Sequence, residues 1–89
     1  MTLKIESFFG RGGTKLRLSG ELLSAHLEEV QSEIEKSVAP VTLDLEEVNR
    51  VDIEGIRLLN ACQVQGVLVT KCAPYIRAWM RQEAARKRT

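Results

Sequence analysis

The sequence predicts an α/β fold: a single small sandwich of about four β-strands with three main helices. Three observations carry that prediction. Leu3-Lys-Ile-Glu and Thr14-Lys-Leu-Arg-Leu alternate apolar and polar residues around the glycine cluster Gly10-Arg-Gly-Gly13, as a hairpin does. Leu23, Leu27, Val30, Ile34 and Val38 then step by three or four, the spacing of one helix face. Finally, Val41-Thr-Leu-Asp-Leu45 and Val67-Leu-Val-Thr70 are short apolar runs separated by a helical stretch. An opening hairpin followed by two strand–helix–strand crossings places all four strands in one sheet with helices packed against it.

Each element has a local cause. The glycines between the first two strands supply the backbone freedom of a tight turn. They do not make a phosphate loop, because Thr14-Lys15 opens a strand where that motif needs a helix. Gly20 to Leu23 ends the hairpin, and Ser24 is placed to cap the first helix with its hydroxyl. Glu28, Glu29, Glu33 and Glu35 occupy that helix's outer face, and Pro40 stops the chain before the central strand. After a short polar crossing, Asp52-Ile-Glu-Gly55 opens a second helix that begins near Gly55. Its inward residues are Ile56, Leu59 and Val64, and Gly66 ends it. Pro74 suits the first turn of a third helix, with Ile76, Trp79, Met80 and Glu83 or Ala84 turned inward. Residues 1–85 are read as one domain and residues 86–89 as a basic tail.

Composition narrows the function. Eighty-nine residues give one modest core and little room for a deep substrate pocket. No apolar run approaches the roughly 20 residues that cross a bilayer. The N-terminus, with an acid at Glu6, does not read as a signal peptide, so a complete cytoplasmic chain is expected without direct membrane insertion. The net charge of +1 conceals a partition into segments of +3 (residues 1–20), −8 (21–54) and +6 (55–89). Such asymmetry suits protein recognition, including a homodimer in which the basic last helix meets the acidic first one.

Catalytic and ligand-binding readings are weak. Asp52 and Glu54 are close enough in sequence to face one cation, and Asp44 adds a third acid. No second ligand cluster accompanies them, so no metal, cofactor or enzymatic activity is expected. His26, the only histidine, has no nucleophile in its neighbourhood and reads as a solvated side chain. Cys62 and Cys72 match no zinc spacing and read as small apolar residues. Arg77, Arg81, Arg86, Lys87 and Arg88 form a basic helix end without a nucleic-acid reader motif, so no nucleic acid is expected as a partner.

The strand Val41–Leu45 with its Asp44, followed by Asp52-Ile53-Glu54-Gly55 at a helix start, resembles the STAS domain of anti-sigma factor antagonists. Gly20 after the second strand, and Gly66-Val-Leu-Val followed by Pro74, extend the resemblance over residues 3–82. It implies a bacterial signalling module in transcription regulation, which docks a protein partner through Asp52, Ile53, Glu54, Gly55 and Arg57. That partner would be an anti-sigma factor or a kinase-like regulator. In typical members the position of Glu54 holds a serine that is phosphorylated, so the resemblance implies a divergent member with a fixed negative charge. The run from Gly55 to Gly66 is also about one helical turn shorter than is typical. The alternative implied by the same resemblance is an accessory subunit on the ATPase of a membrane (ABC-type lipid) transport system.

Overall fold

The computed structural model describes residues 3–86. The elements are β1 (Leu3–Gly10), β2 (Gly13–Leu22), a 3₁₀ turn (Ser24–His26), α1 (Leu27–Lys36), β3 (Val41–Val51), α2 (Ile53–Val64), β4 (Leu68–Thr70) and α3 (Pro74–Arg86). The four strands lie in sequential order, β1-β2-β3-β4, with β1 antiparallel to β2 and the two remaining pairs parallel. This is the α/β architecture that the sequence predicts.

The period of two sorts each strand between the sheet's faces. Leu16 and Leu18 of β2, Leu43 and Leu45 of β3 and Val69 of β4 turn to the helices. They enclose a core with Val30 of α1, Ile56, Leu58, Leu59 and Cys62 of α2, and Ile76 and Met80 of α3. Lys15, Arg17 and Asp44 point from the opposite face, where Arg17 pairs in register with Asp44. Residues of the Leu59 kind, with no exposed surface, contribute most, about 2–5 kcal/mol each against alanine.

Several boundaries differ from the sequence reading. β3 does not stop at Leu45: the polar crossing is itself strand, continuing to Val51, because β2 still runs alongside and supplies partners. Gly20 does not close β2. It lies inside the strand at a register shift, and pairing resumes through Leu22. Ser24 makes no side-chain cap; α1 is entered through the 3₁₀ turn instead, and Ser24 contributes its backbone N–H elsewhere. His26 is half-buried rather than solvated, and its Nδ1 accepts from the Leu23 N–H at 3.4 Å. Val38 lies beyond the end of α1 and is exposed, so the stripe that packs is Leu27, Val30 and Ile34. Val64 is 87% exposed, and the positions inward on α2 are Ile56, Leu58, Leu59 and Cys62.

The end of α2 follows from one residue. Gly66 adopts φ 95°, which lets the Val67 N–H return to the Cys62 carbonyl (2.9 Å) and its own N–H to that of Gln63 (3.1 Å). α3 buries Ile76, Met80 and Glu83, with Trp79 partly covered, while Ala84 stays outside. Arg86 is the last residue of α3 rather than the first of a tail, and residues 87–89 lie outside the described residues. Among the described residues no helix is long and apolar enough to cross a membrane.

Candidate functional site

The start of α2 is fixed by Asp52 and Gly55. Asp52 has the extended backbone of an N-cap residue, and its Oδ1 accepts from the Gly55 N–H at 2.9 Å. Its Oδ2 accepts from the Ser24 N–H, also at 2.9 Å. One carboxylate thus joins the end of the β2 segment to the start of α2 across 28 residues of sequence. The Asp52 N–H returns to the Leu22 carbonyl at 3.4 Å, a second tie between the same two segments. Partial burial raises the Asp52 pKa, and hydrogen bonds from the Gly55 and Ser24 amides, then those of Asp52 and Glu54, outweigh it. The net effect holds the carboxyl below its ordinary value of 3.8.

Gly55 is there because nothing larger fits. A Cβ on it would lie 2.6 Å from the Leu22 carbonyl oxygen and 2.7 Å from a methyl of Val51. α2 therefore meets the ends of β2 and β3 backbone to backbone, and residues 53 and 54 are displayed just above that contact.

Glu54 stands on the surface, with its side chain about half exposed. Its Oε2 accepts from Arg57 Nη1 at 3.3 Å, one turn on along α2. The Nε of Arg57 reaches Glu83 Oε1 of α3, also at 3.3 Å, where the carboxylate is only 7% exposed. Arg86 approaches the other Glu83 oxygen at 3.9 Å. Glu54 is therefore an outward carboxylate whose charge is shared with Arg57, and that arginine also links α2 to α3.

The structure brings Asp52, Ile53, Glu54, Gly55 and Arg57 together on one turn, but in different roles. Gly55 is buried and Ile53 half-buried, so the surface itself is made by Glu54 and Arg57 with the rim of Asp52. Ser24 and Glu83 belong to the same corner, whereas the sequence suggests only a helix cap for Ser24 and an inward helix position for Glu83. No spacing rule connects Ser24 to Asp52; for Glu83 the signal was a charged residue at an inward helical position.

This corner displays an acid and a base, Glu54 and Arg57, on a turn whose backbone is fixed. Both oxygens of Asp52 are engaged by backbone amides, one on each. Among the described residues no group of three His, Cys, Asp or Glu is placed to bind a metal ion. Cys62 and Cys72 are free thiols, and burial pushes the Cys62 thiol above its ordinary value, away from the reactive thiolate.

A second charged cluster lies on the open face of the sheet. Asp44 has no exposed surface, and its Oδ1 accepts from the Glu46 N–H at 3.0 Å. Around Oδ2 stand Lys15 and Arg17 at 3.8 Å and Lys71 at 4.0 Å. Lys71 adopts the left-handed backbone region (φ 59°), uncommon for a side chain of its size. Phe8 lies beside the cations, its ring 5.4 Å from Arg17 and 6.0 Å from Lys15.

Comparison with known proteins agrees with this architecture. A family model described as "Mlab, STAS domain" matches residues 9–82. Among solved structures, the anti-sigma factor antagonist SpoIIAA in its unphosphorylated form is similar, with a TM-score of 0.66 at 19% identity. That match covers 98% of this chain and 96% of the other, and at this identity it speaks for the fold. No curated protein matches the chain. With sheet order, the Asp52–Gly55 helix start and a family match over most of its length in agreement, the chain belongs to the STAS domain family.

Proposed function

We propose that this protein is a non-catalytic regulatory interaction module that docks a protein partner through the first turn of α2. The observation that carries the reading is the construction of that turn. Asp52 and Gly55 fix the backbone, and Glu54 with Arg57 is held outward as a paired acid and base. A rigid turn with two opposite charges favours a partner offering the complementary order of charges, and little conformational freedom is lost when it binds.

Glu54 makes the contact constitutive. It has no hydroxyl for a kinase to modify, and its single charge is answered by Arg57 at 3.3 Å, whereas a phosphate would bring nearly two. By its resemblance to the anti-sigma factor antagonists the partner is an anti-sigma factor or a kinase-like regulator in the cytoplasm. A second reading is favoured by the same fixed pair: an accessory subunit seated permanently on the ATPase of a membrane transport system, where no reversible switch is needed.

Affinity capture from the native cell with the tagged full chain separates the two by what is recovered, an anti-sigma factor or a transporter ATPase. Combining Glu54→Lys with Arg57→Glu reverses both charges and is expected to abolish capture. Undiminished capture by the double variant would overturn the assignment of the docking surface. Glu54→Ser is expected to acquire phosphate only where a cognate kinase exists, as read by intact-mass spectrometry.

A further inference from the structure

The two edges of the sheet are built differently. β4 is an edge of three residues; Arg77 of α3 donates to the Val69 carbonyl at 3.3 Å, and Pro74 follows shortly after. Short strands and covered carbonyls are how proteins keep an edge from recruiting another strand. β1 has none of these defences. It runs for eight residues in unbroken register with β2, contains no proline or bulge, and among the described residues has β2 as its one neighbour in the sheet. Its single lysine, Lys4, is paired with Glu6 of the same strand at 3.6 Å. Every residue from Ser7 to Gly10 is exposed, including Phe8 and, at 73%, Phe9.

We propose that β1 is a homodimer interface: two copies pair antiparallel along this edge, with the two-fold axis at Ser7, to form one eight-stranded sheet. Three features of the strand select this occupant and this register. First, an antiparallel edge is complementary to itself, so a second copy satisfies the free N–H and C=O groups of both strands at once. Second, paired residues must share a face, which leaves two-fold centres at Ile5, Glu6 or Ser7. A centre at Glu6 sets that carboxylate against its own copy. A centre at Ile5 gains two exposed Lys4–Glu6 ion pairs but pairs only residues 3–7 of the described strand. A centre at Ser7 pairs residues 4–10, opposes no like charges and lays Phe9 of each copy on Ile5 of the other. Covering two phenylalanines outweighs two surface ion pairs.

Third, the pairing closes on itself. Ile5 is only partly buried on the edge of the core, so Phe9 of a second copy extends the apolar layer that Leu3 and Ile5 begin. Once paired, the assembly ends in two short β4 edges, and growth stops at two copies. The interface is separate from the first turn of α2, so the dimer presents two docking corners.

Sedimentation equilibrium of the full chain tests this directly. From about 10 μM to about 1 mM, the mass is expected to rise from the 10.0 kDa of one chain toward twice that value. Phe9→Lys, at a position too exposed to affect folding, is expected to weaken association by about tenfold or more. In a Cys72→Ser background, Ser7→Cys is expected to form an inter-chain disulfide on mild oxidation, since directly opposed residues lie about 5 Å apart. Ile5→Cys is expected to form none, its two copies being about 14 Å apart in this register. A mass of one chain throughout, a dimer indifferent to Phe9→Lys, or crosslinking through Ile5→Cys in place of Ser7→Cys would each overturn the proposal.

Discussion

Asp52 and Asp44 are the same residue held in opposite ways. Asp52, at the rim of the α2 corner, has both oxygens on backbone amides at 2.9 Å. Asp44, with no exposed surface, has one oxygen on an amide and the other among three cations at 3.8–4.0 Å, without a hydrogen bond to any of them. Directional bonds make the first region a rigid joint between two backbone segments. Undirected charge makes the second a net-positive patch in which three cations, each at least a third exposed, surround one carboxylate and keep their freedom. A recognition surface needs the first kind of construction, because it must present side chains at fixed positions.

The largest effect expected is at Asp44. Asp44→Ala leaves three cations facing one another over a buried hole and is expected to cost about 2–4 kcal/mol, measured by urea unfolding. The loss stays below that of a fully buried pair because the cations can turn into water. Raising the salt from about 0.05 M to about 1 M should shrink it markedly. An Asp44→Ala penalty indifferent to salt would mean that the open face is held by packing and not by charge.

Gly55→Ala comes next, at about 1–3 kcal/mol, since its methyl group drives α2 off the Leu22 carbonyl. Its loss should be insensitive to salt. On the proposed docking surface, a displaced start of α2 is expected to lower partner capture even where the protein remains folded.

Asp52→Ala removes the acceptor of two amides and is expected to cost about 1–2 kcal/mol. Because the folded pKa of Asp52 lies below the unfolded one, its charged form contributes stability above about 3.8. That contribution is lost as pH falls through the lower, folded value. The stability difference between wild type and Asp52→Asn should therefore be constant near neutrality and narrow only below pH 3.8. A difference that already closes between pH 5 and 7 would assign the pH dependence to another group.

Glu54→Ala is the smallest change, within about 1 kcal/mol, because its ion pair with Arg57 is half exposed on both sides. Weak stability and strong partner dependence at the same residue are the signature that separates a docking side chain from a structural one. If Glu54→Ala destabilised the fold as much as Asp52→Ala, the distinction between display and scaffold in this corner would fail.

Particular residues show how far the sequence could be read. The alternation of Leu16, Leu18, Leu43 and Leu45 disclosed the core face, because a strand's side chains obey a period of two whatever surrounds them. Asp44 follows the same period and so falls on the face opposite the core, yet it is fully buried there. What covers it comes from β2 and from Lys71, which periodicity along β3 cannot report. Val64 and Val38 fit the helical spacing and still lie outside, Val64 as the last residue of α2 before the Gly66 turn and Val38 beyond Lys36, where α1 ends. The segment Glu46–Arg50, polar but for Val48, looks like a loop but forms a strand, held by the backbone of β2 and by the burial of Val48.

Taken alone, the sequence determined the order and kind of the elements, the apolar face of each strand and the turn at Asp52–Gly55, because these follow from local spacing and from what glycine and aspartate do at a helix start. Only the tertiary structure decided that Ser24 completes the Asp52 cap, that Arg57 divides itself between Glu54 and Glu83, and that β1 is left as the long open edge. Such contacts join residues far apart in the chain, and chain separation carries no record of which distant groups the packing will bring within a hydrogen bond of one another.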